Sequence, residues 1–331
     1  MVEMVSQMKA IVWTRYGPPD VLQLEEVERP TPKDDEVLVK IFAASINSWD
    51  MELLEGRAQI TLGGRLKPKH KILGCDVAGC VEDVGRKVVR FKPGDQVFGD
   101  LSGSGWGGFA EYVCAKEESL ALKSSSMSFE QAAASPQAAV LALRGVRDKG
   151  SIKPMQNVLV NGAGGGVGTF AVQMAKAYGA KVTGVDSAEK LDMLLSIGAD
   201  HVINYEEEDF TLDGVEYDLI IDVVSHRSVF EYRRALSPRG RCVVIGGSGG
   251  AAMGALFLGS WLLGRRKVYL LLHKPNSNDL AYINELFEAG KVRPVIDRHY
   301  RLDEVAQAFR YYSEGHVKGK IVIVVKHATN E

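Results

Sequence analysis

The chain is expected to fold as an α/β protein, with a doubly wound parallel-sheet unit inserted into an all-β module ahead of that module's last strands. Three observations predict this. From residue 158 onward, six short apolar runs alternate with helical patterns. The first 120 residues instead carry short strand-like runs divided by turn clusters. After Gly290 the pattern returns to strand, helix and a final apolar strand. A length of 331 residues suits two domains. They are drawn at 1–125, completed by 291–331, and at 126–290.

In the first module the strand-like runs are Met8–Trp13, Val37–Ala44, Gly79–Val84, Asp95–Phe98 and Ala110–Cys114. Clusters such as Gly17-Pro18-Pro19 and Lys92-Pro93-Gly94-Asp95 break them, because proline lacks a ladder donor and glycine admits tight turns. The six runs of the inserted unit are Val158–Val160, Lys181–Val185, His201–Ile203, Asp218–Asp222, Cys242–Ile245 and Val268–Leu272. Helical patterns lie between most of them, at Glu189–Ile197, Arg227–Leu236 and, past the sixth, Asp279–Ala289. The closing elements are a strand at Val292–Asp297, a helix at Asp303–Ser313 and a strand at Ile321–Val325. These last strands are expected to rejoin the β module.

Composition narrows the partners. Forty basic against 42 acidic residues leave a net charge of −2, with no basic block to favour nucleic acid. The start, MVEMVSQMKA, lacks a cationic and apolar leader, and the longest apolar run, Ala251–Leu263, is too short and glycine-broken to span a bilayer. Cys75, Cys80, Cys114 and Cys242 form no CxxC pair and no disulfide framework, which points to a reducing cytoplasm. The apolar last strand, Val268–Leu272, is an edge that needs a cover, so a two-fold homodimer is expected.

Val158–Lys176, VLVNGAGGGVGTFAVQMAK, runs from an apolar strand through five glycines into an amphipathic helix. Val167, Phe170, Ala171, Met174, Ala175 and Tyr178 share one face of that helix. Such a turn lets the backbone approach a pyrophosphate, and the helix start offers N–H groups and a positive dipole end. The first position of the Gly-x-Gly-x-x-Gly fingerprint is Ala163, followed by Gly165 and Gly168, so a small residue is expected to make the first turn. Gly164, Gly166 and Val167 are the expected pyrophosphate contacts, and Gly165 is a further cofactor-binding position.

Asp186 ends the second strand 18 residues after Gly168, where a carboxylate hydrogen-bonds the ribose of NAD. A 2′-phosphate there would meet like charge, at roughly 4 kcal/mol per pair for ~4 Å and an effective dielectric near 20. The chain therefore leans to NADH or dual use. Ser187 and Lys190 lie within a turn of Asp186; Lys190 either supplies a compensating cation or is a solvated helix residue.

The order of motifs along nearly the whole chain resembles the medium-chain dehydrogenase/reductase superfamily, in its zinc-independent quinone oxidoreductase branch. The pieces are Tyr16-Gly17, Glu36-Val-Leu-Val-Lys40 leading to Ala44-Ser-Ile-Asn47, Gly74-Cys-Asp-Val-Ala-Gly79 and Lys92-Pro-Gly-Asp95. Gly108-Phe-Ala-Glu111, the Asn161–Lys176 loop and helix, Gly198-Ala-Asp-His-Val-Ile-Asn-Tyr205, Ala289-Gly-Lys-Val-Arg-Pro294 and Gly315-His-Val-Lys-Gly-Lys320 follow. The resemblance implies a GroES-like β-barrel domain, a Rossmann domain and a cleft between them. It further implies that Gly246-Gly247 border the nicotinamide, that Val223 binds the cofactor, and that Tyr205 packs on the adenosine side. His316 and Lys318, from the returning β domain, would close over the cofactor.

Zinc-dependent relatives carry a cysteine ligand where this chain has Asn47, and a His-Glu pair where it has Cys75-Asp76. The third position, near Pro136, offers no thiolate or imidazole. A catalytic zinc takes three protein ligands, and a structural zinc lobe would take four cysteines around residues 95–115, where only Cys114 stands. The expectation is no metal. The reaction then leans on the nicotinamide of NAD(P)H, which reduces quinones and α,β-unsaturated carbonyls with little further polarisation of the small-molecule acceptor. Asn47 is the candidate hydrogen-bond donor to the acceptor oxygen; alternatively Asn47 and Asp50 cap a helix over Trp49–Leu54. Tyr16 is a second candidate, for pocket lining or proton delivery, or a packed aromatic. Two other functions stay open: a 2-enoyl thioester reductase, for which Arg57-Ala-Gln59 stands where a proton-donating tyrosine is wanted, and a non-catalytic NAD(P)-binding sensor or scaffold.

Overall fold

Alternating burial builds the N-terminal β module. The computed structural model describes residues 6–57, 67–246 and 266–327. Its strands are β1 (Gln7–Val12), β2 (Gln23–Glu28), β3 (Glu36–Ser45), β4 (Asp76–Val84), β5 (Gln96–Asp100), β6 (Tyr112–Lys116) and β7 (Leu120–Leu122). β3 is the organising strand, pairing antiparallel with both β4 and β6. Val37, Val39 and Ile41 of β3 are fully buried, as period-2 alternation with β-branched residues predicts for a half-buried strand. β1 and β2 form a separate antiparallel pair. β2 escapes the sequence reading because QLEEVE exposes nearly every side chain, so it carries no hydrophobic alternation. α1 (Ser48–Leu54) follows β3, and α2 (Phe129–Ala133) and α3 (Pro136–Leu143) follow β7.

The inserted unit is a six-stranded sheet: β8 (Asn157–Asn161), β9 (Lys181–Asp186), β10 (His201–Asn204), β11 (Tyr217–Asp222), β12 (Leu236–Ile245) and β13 (Lys267–Leu271). Their order is β10-β9-β8-β11-β12-β13, every pair parallel. All six expected strands are present, and the order reverses between β8 and β11, the switch point of a doubly wound fold. Val158–Val160, Ile220–Ile221 and Cys242–Ile245 are at most 1% exposed, which is why they read as unbroken apolar runs. Helices α4 (Gly166–Ala177), α5 (Leu191–Ser196) and α6 (Val229–Ala235) connect the strands.

The closing strands, β14 (Ile296–Arg301) and β15 (Lys320–Val324), rejoin the β module as expected, with β15 antiparallel to β3. The strand expected at Val292–Asp297 begins later. Pro294 cannot donate to a ladder, and the Arg293 backbone is instead clasped by the Gln173 side chain of α4, in two 2.8 Å hydrogen bonds.

The units divide elsewhere than at 125/126 and 290/291. The β unit runs to Gln137 and takes in Lys274–Glu288 and the chain from Ile296; the other unit is Ala138–His273 with Ala289–Val295. Two sets of bonds account for the shift. Ser45 Oγ of β3 donates to the Ala133 carbonyl at 2.8 Å, anchoring α2. Asn284, on the helix Ser277–Glu288, donates to the Leu122 carbonyl at 2.6 Å and accepts from the Ser124 N–H at 3.3 Å.

Candidate active site

The glycine loop is shaped by close packing. The left-handed turn falls on Gly162 (φ 79°), so the position expected at Ala163 shifts by one and keeps its glycine. Ala163 is fully buried, and its N–H and that of Gly162 both donate to the Val185 carbonyl at 3.0 Å. A Cβ on Gly168 would lie 2.1 Å from the Gly162 carbonyl oxygen, so the first turn of α4 can rest on the loop only through a glycine. Gly165 is the N-cap, and a Cβ there would meet Gly162 O at 3.6 Å. The N–H groups of Gly166 and Val167 open the helix, where no preceding turn supplies carbonyls.

Asp186 is turned into this loop. Its Oδ2 accepts from the Gly164 N–H at 2.7 Å, and its Oδ1 accepts from the Ser187 N–H at 3.0 Å. Lys190 Nζ stands 3.3 Å from Oδ1, with both side chains 9% exposed. Lys190 is therefore a buried partner of Asp186 and not a solvated helix residue. Tyr205, 54% exposed, stands beside this edge, its N–H donating to the Asp186 carbonyl at 3.3 Å.

At the switch point lies a group that sequence reasoning missed. Asp222 is fully buried, and its Oδ2 accepts from the Tyr232 hydroxyl at 2.6 Å. Its Oδ1 accepts from Asn161 Nδ2 at 3.2 Å and from the Val224 and Ser225 N–H groups at 2.8 Å. Val223 N–H donates to the Asn161 carbonyl, which fixes the turn carrying Val223. Burial and the adjacent carboxylate push the Tyr232 hydroxyl far above its ordinary value. The only signal was an acid ending an apolar strand, a pattern Asp186 shares. Gly246 follows β12 with φ 78° and is exposed; Gly247 lies outside the described residues.

The β unit holds a second cluster. Asn47 is 7% exposed, and its amide is engaged inside the fold: Oδ1 accepts from Lys320 Nζ at 2.5 Å, and Nδ2 donates to Cys75 Sγ at 3.3 Å. Asp50 caps α1 by accepting from the Asn47 N–H at 2.8 Å, and it accepts from the Gly74 N–H at 3.0 Å. Burial lifts the Asp50 carboxyl to about 7, against the pull of those two N–H donors. Asp76 accepts from the Gln137 N–H at 3.2 Å, and burial lifts it to about 6 while Lys320 pulls it back. Tyr16 packs edge-on against Trp13, with ring centroids 5.5 Å apart, and its hydroxyl donates to the Lys67 carbonyl at 3.4 Å. Burial raises its hydroxyl above the ordinary value. His316 is exposed, and the Lys318 N–H donates to Asp297 at 3.1 Å.

Among the described residues, Cys75, Asp76 and Asp100 bring potential ligand atoms within 4.8 Å of one another. They do not fit a zinc ion. Cys75 Sγ already accepts from Asn47 and, at 3.6 Å, from Gln137 Nε2. Burial first, then the neighbouring Asp50, Asp76 and Asp100, hold it as a thiol far above its ordinary pKa, whereas zinc takes thiolate. Asp100 caps the following turn through the Ser102 N–H at 2.8 Å. Lys320 Nζ already faces Asp76 Oδ2 at 3.7 Å.

Among the described residues no helix is long and apolar enough to cross a membrane. Residues 33–125 match the family described as alcohol dehydrogenase GroES-like domain, and residues 197–323 the one described as zinc-binding dehydrogenase. The chain is 35% identical to a 2-methylene-furan-3-one reductase of Solanum lycopersicum, across 97% of this chain and 80% of that protein. It is 33% identical to a chloroplastic NADPH-dependent alkenal/one oxidoreductase of Arabidopsis thaliana, across 96% of this chain and 79% of that protein. Among solved structures, the quinone oxidoreductase from Coxiella burnetii superposes with a TM-score of 0.85 at 31% identity, covering 97% of this chain and 100% of that one.

Proposed function

The chain belongs to the medium-chain dehydrogenase/reductase family, in its quinone oxidoreductase-like branch, and on that premise we propose that it is an NAD(P)H-dependent reductase of quinones and α,β-unsaturated carbonyls that works without a metal. The observation that carries the reading is a pairing of two features. The turn leading into α4 is built with glycines, at Gly168 where a Cβ would collide with backbone, while the polar cluster of the β unit has its carboxylates and thiol engaged by protein donors. A bound nicotinamide supplies hydride, and an acceptor that is already electron-poor needs no Lewis acid to receive it.

The chain's own residues then bind and orient. Gly165, Gly166 and Val167 present N–H groups and the positive end of α4 to the pyrophosphate. Asp186, Ser187, Lys190 and Tyr205 take the adenosine ribose, with Gly164 held in place by Asp186. Val223 and Gly246 line the nicotinamide side, and His316 and Lys318 are the β unit's candidate cofactor residues. Asn47 donates its second Nδ2 hydrogen to the acceptor oxygen, since its Oδ1 is committed to Lys320 and the other hydrogen to Cys75 Sγ. Tyr16 lines the acceptor site; as a proton donor its hydroxyl would have to release the Lys67 carbonyl. A homodimer joined along β13, the edge of the parallel sheet, covers Val268–Leu271. Four free thiols suit the reducing cytoplasm.

Initial rates with NADH and NADPH against quinones, enones, alkenals and alcohols test the assignment. Reduction of the first three classes, undiminished by chelator, is expected. Alcohol oxidation that disappears on chelation would refute it.

A further inference from the structure

The polar cluster of the β unit is too acidic to stand alone. Asp50 and Asp76 are fully buried and Asp100 is 2% exposed, with the Cys75 sulfur among them. Carboxylates and a thiol converging within 4.8 Å in a buried site form a donor set that a divalent cation would otherwise stabilise. Into this group β15 sends Lys320, itself 3% exposed. Its ammonium donates to the Ile46 carbonyl at 2.9 Å and to Asn47 Oδ1 at 2.5 Å, and lies 3.7 Å from Asp76 Oδ2. A buried ammonium is costly unless its donors are satisfied and its charge is paired. Here both conditions hold, because three separate oxygens converge on one nitrogen.

We propose that the Lys320 ammonium is the resident cation of this cluster, standing in for a divalent metal and excluding one by its charge. The lysine supplies the positive charge beside Asp76 and fixes the Asn47 amide by its oxygen. A metal bound through Cys75 and Asp76 would sit against that ammonium, and it would have to displace the Asn47 and Gln137 donors from the sulfur. Removing the lysine charge leaves a thiol and two carboxylates in reach of one ion without the repulsion; the ion then binds by releasing the Cys75 thiol proton to solvent and displacing the Asn47 and Gln137 donors from the sulfur.

The test is a metal titration, blind to turnover, so its outcome is independent of the reaction assigned above. The full-length protein and Lys320→Met are equilibrated with Co²⁺, desalted, and examined for cobalt content and for thiolate-to-cobalt absorption. The native chain is expected to retain none. Lys320→Met is expected to retain a near-stoichiometric amount with a thiolate signature, lost again in Lys320→Met/Cys75→Ser. Stoichiometric thiolate-bound cobalt in the native chain, or a folded Lys320→Met that binds none, overturns the proposal. Stability gives a second measure if Lys320→Met folds poorly. Lys320→Met/Asp76→Asn removes both charges and is expected to melt several degrees higher than Lys320→Met alone. A double variant no more stable than the single one overturns the charge pairing.

Discussion

Lys190→Met separates two roles that the adenosine end of the cofactor site combines. In the structure the lysine ammonium is 3.3 Å from Asp186 Oδ1, and the same carboxylate accepts the Gly164 N–H at 2.7 Å. A 2′-phosphate brought to this edge meets Asp186 at a repulsion of roughly 4 kcal/mol per charge pair, for ~4 Å and an effective dielectric near 20. Lys190 at a similar distance offers an attraction of about the same size, so on the proposed reading the two nearly cancel and both nucleotides are expected to be admitted. Methionine keeps the buried stem of Lys190 and deletes the charge. The uncompensated carboxylate is then expected to lower kcat/KM for NADPH by about 100-fold or more, some 2.7 kcal/mol, a part of the full Coulomb figure because solvent and ions screen the exposed phosphate. NADH, which has no phosphate at that position, is expected to change by less than about threefold. Initial rates with both nucleotides at saturating acceptor give the ratio, and fluorescence titration gives the binding share. Asp186→Ser is the converse variant, expected to raise NADPH relative to NADH by about tenfold. Equal losses for both nucleotides in Lys190→Met would show that the lysine serves only the fold, and would refute the reasoning.

Gly168→Ala drives a Cβ to 2.1 Å from Gly162 O and 2.6 Å from Ala163 Cα, both backbone, so a loss of about 3 kcal/mol in urea unfolding is expected along with loss of nucleotide binding. Gly165→Ala meets Gly162 O only at 3.6 Å, so its unfolding midpoint should hold while nucleotide affinity falls at least about tenfold, the Cβ occupying space the pyrophosphate needs; tight binding by this variant would contradict the assigned loop. Tyr232→Phe takes a 2.6 Å donor from the buried Asp222 and should cost about 1–3 kcal/mol; an unchanged midpoint would show that other donors compensate. For Asp50 the folded pKa, about 7, lies above the ordinary carboxyl value, so its protonated form stabilises the fold at low pH and that contribution is lost as pH rises toward 7. The stability difference between the native chain and Asp50→Asn should therefore shift against the native chain from about pH 4 to about pH 7, and a constant difference would argue that Asp50 stays ionised. Sedimentation at micromolar concentration should give about twice the chain mass of 36.1 kDa, falling to one chain in Val268→Lys.

What the sequence disclosed followed burial. The central strands of the parallel sheet are buried on both faces and the edge strands β10 and β13 only in part; their apolar runs nonetheless located all six to within a few residues, except for the early part of β12, where Leu236–Arg241 carries polar and glycine positions. β2 and the three-residue β7 left no such trace. In the glycine loop, counting spacing alone assigned the first turn to Ala163, because the fingerprint records intervals and not φ; the adjacent Gly162 takes the left-handed angle. Lys190 stood open between a compensating cation and a solvated residue, because its spacing from Asp186 does not say where either side chain turns. The partner appears once the strand end turns Asp186 back onto the loop.

Lys320 was the least legible of all, for a topological reason. In the chain it precedes Ile321–Val324 as an ordinary charge before an apolar strand, 273 positions from Asn47. Antiparallel pairing of β15 with β3 sets Val322 opposite Ser45, so two residues beyond that pair in each direction are Lys320 and Asn47. The register that buries Ile321 and Ile323 in the β core thus also fixes which side chain meets the Asn47 amide. Shifting that register by one residue would bring Ile321 or Gly319 to Asn47 and leave Asp76 facing the cluster without a cation. The same hydrophobic pattern that folds the module therefore places its buried charge, and the consequence for metal binding is visible only when residues from both ends of the chain are read together.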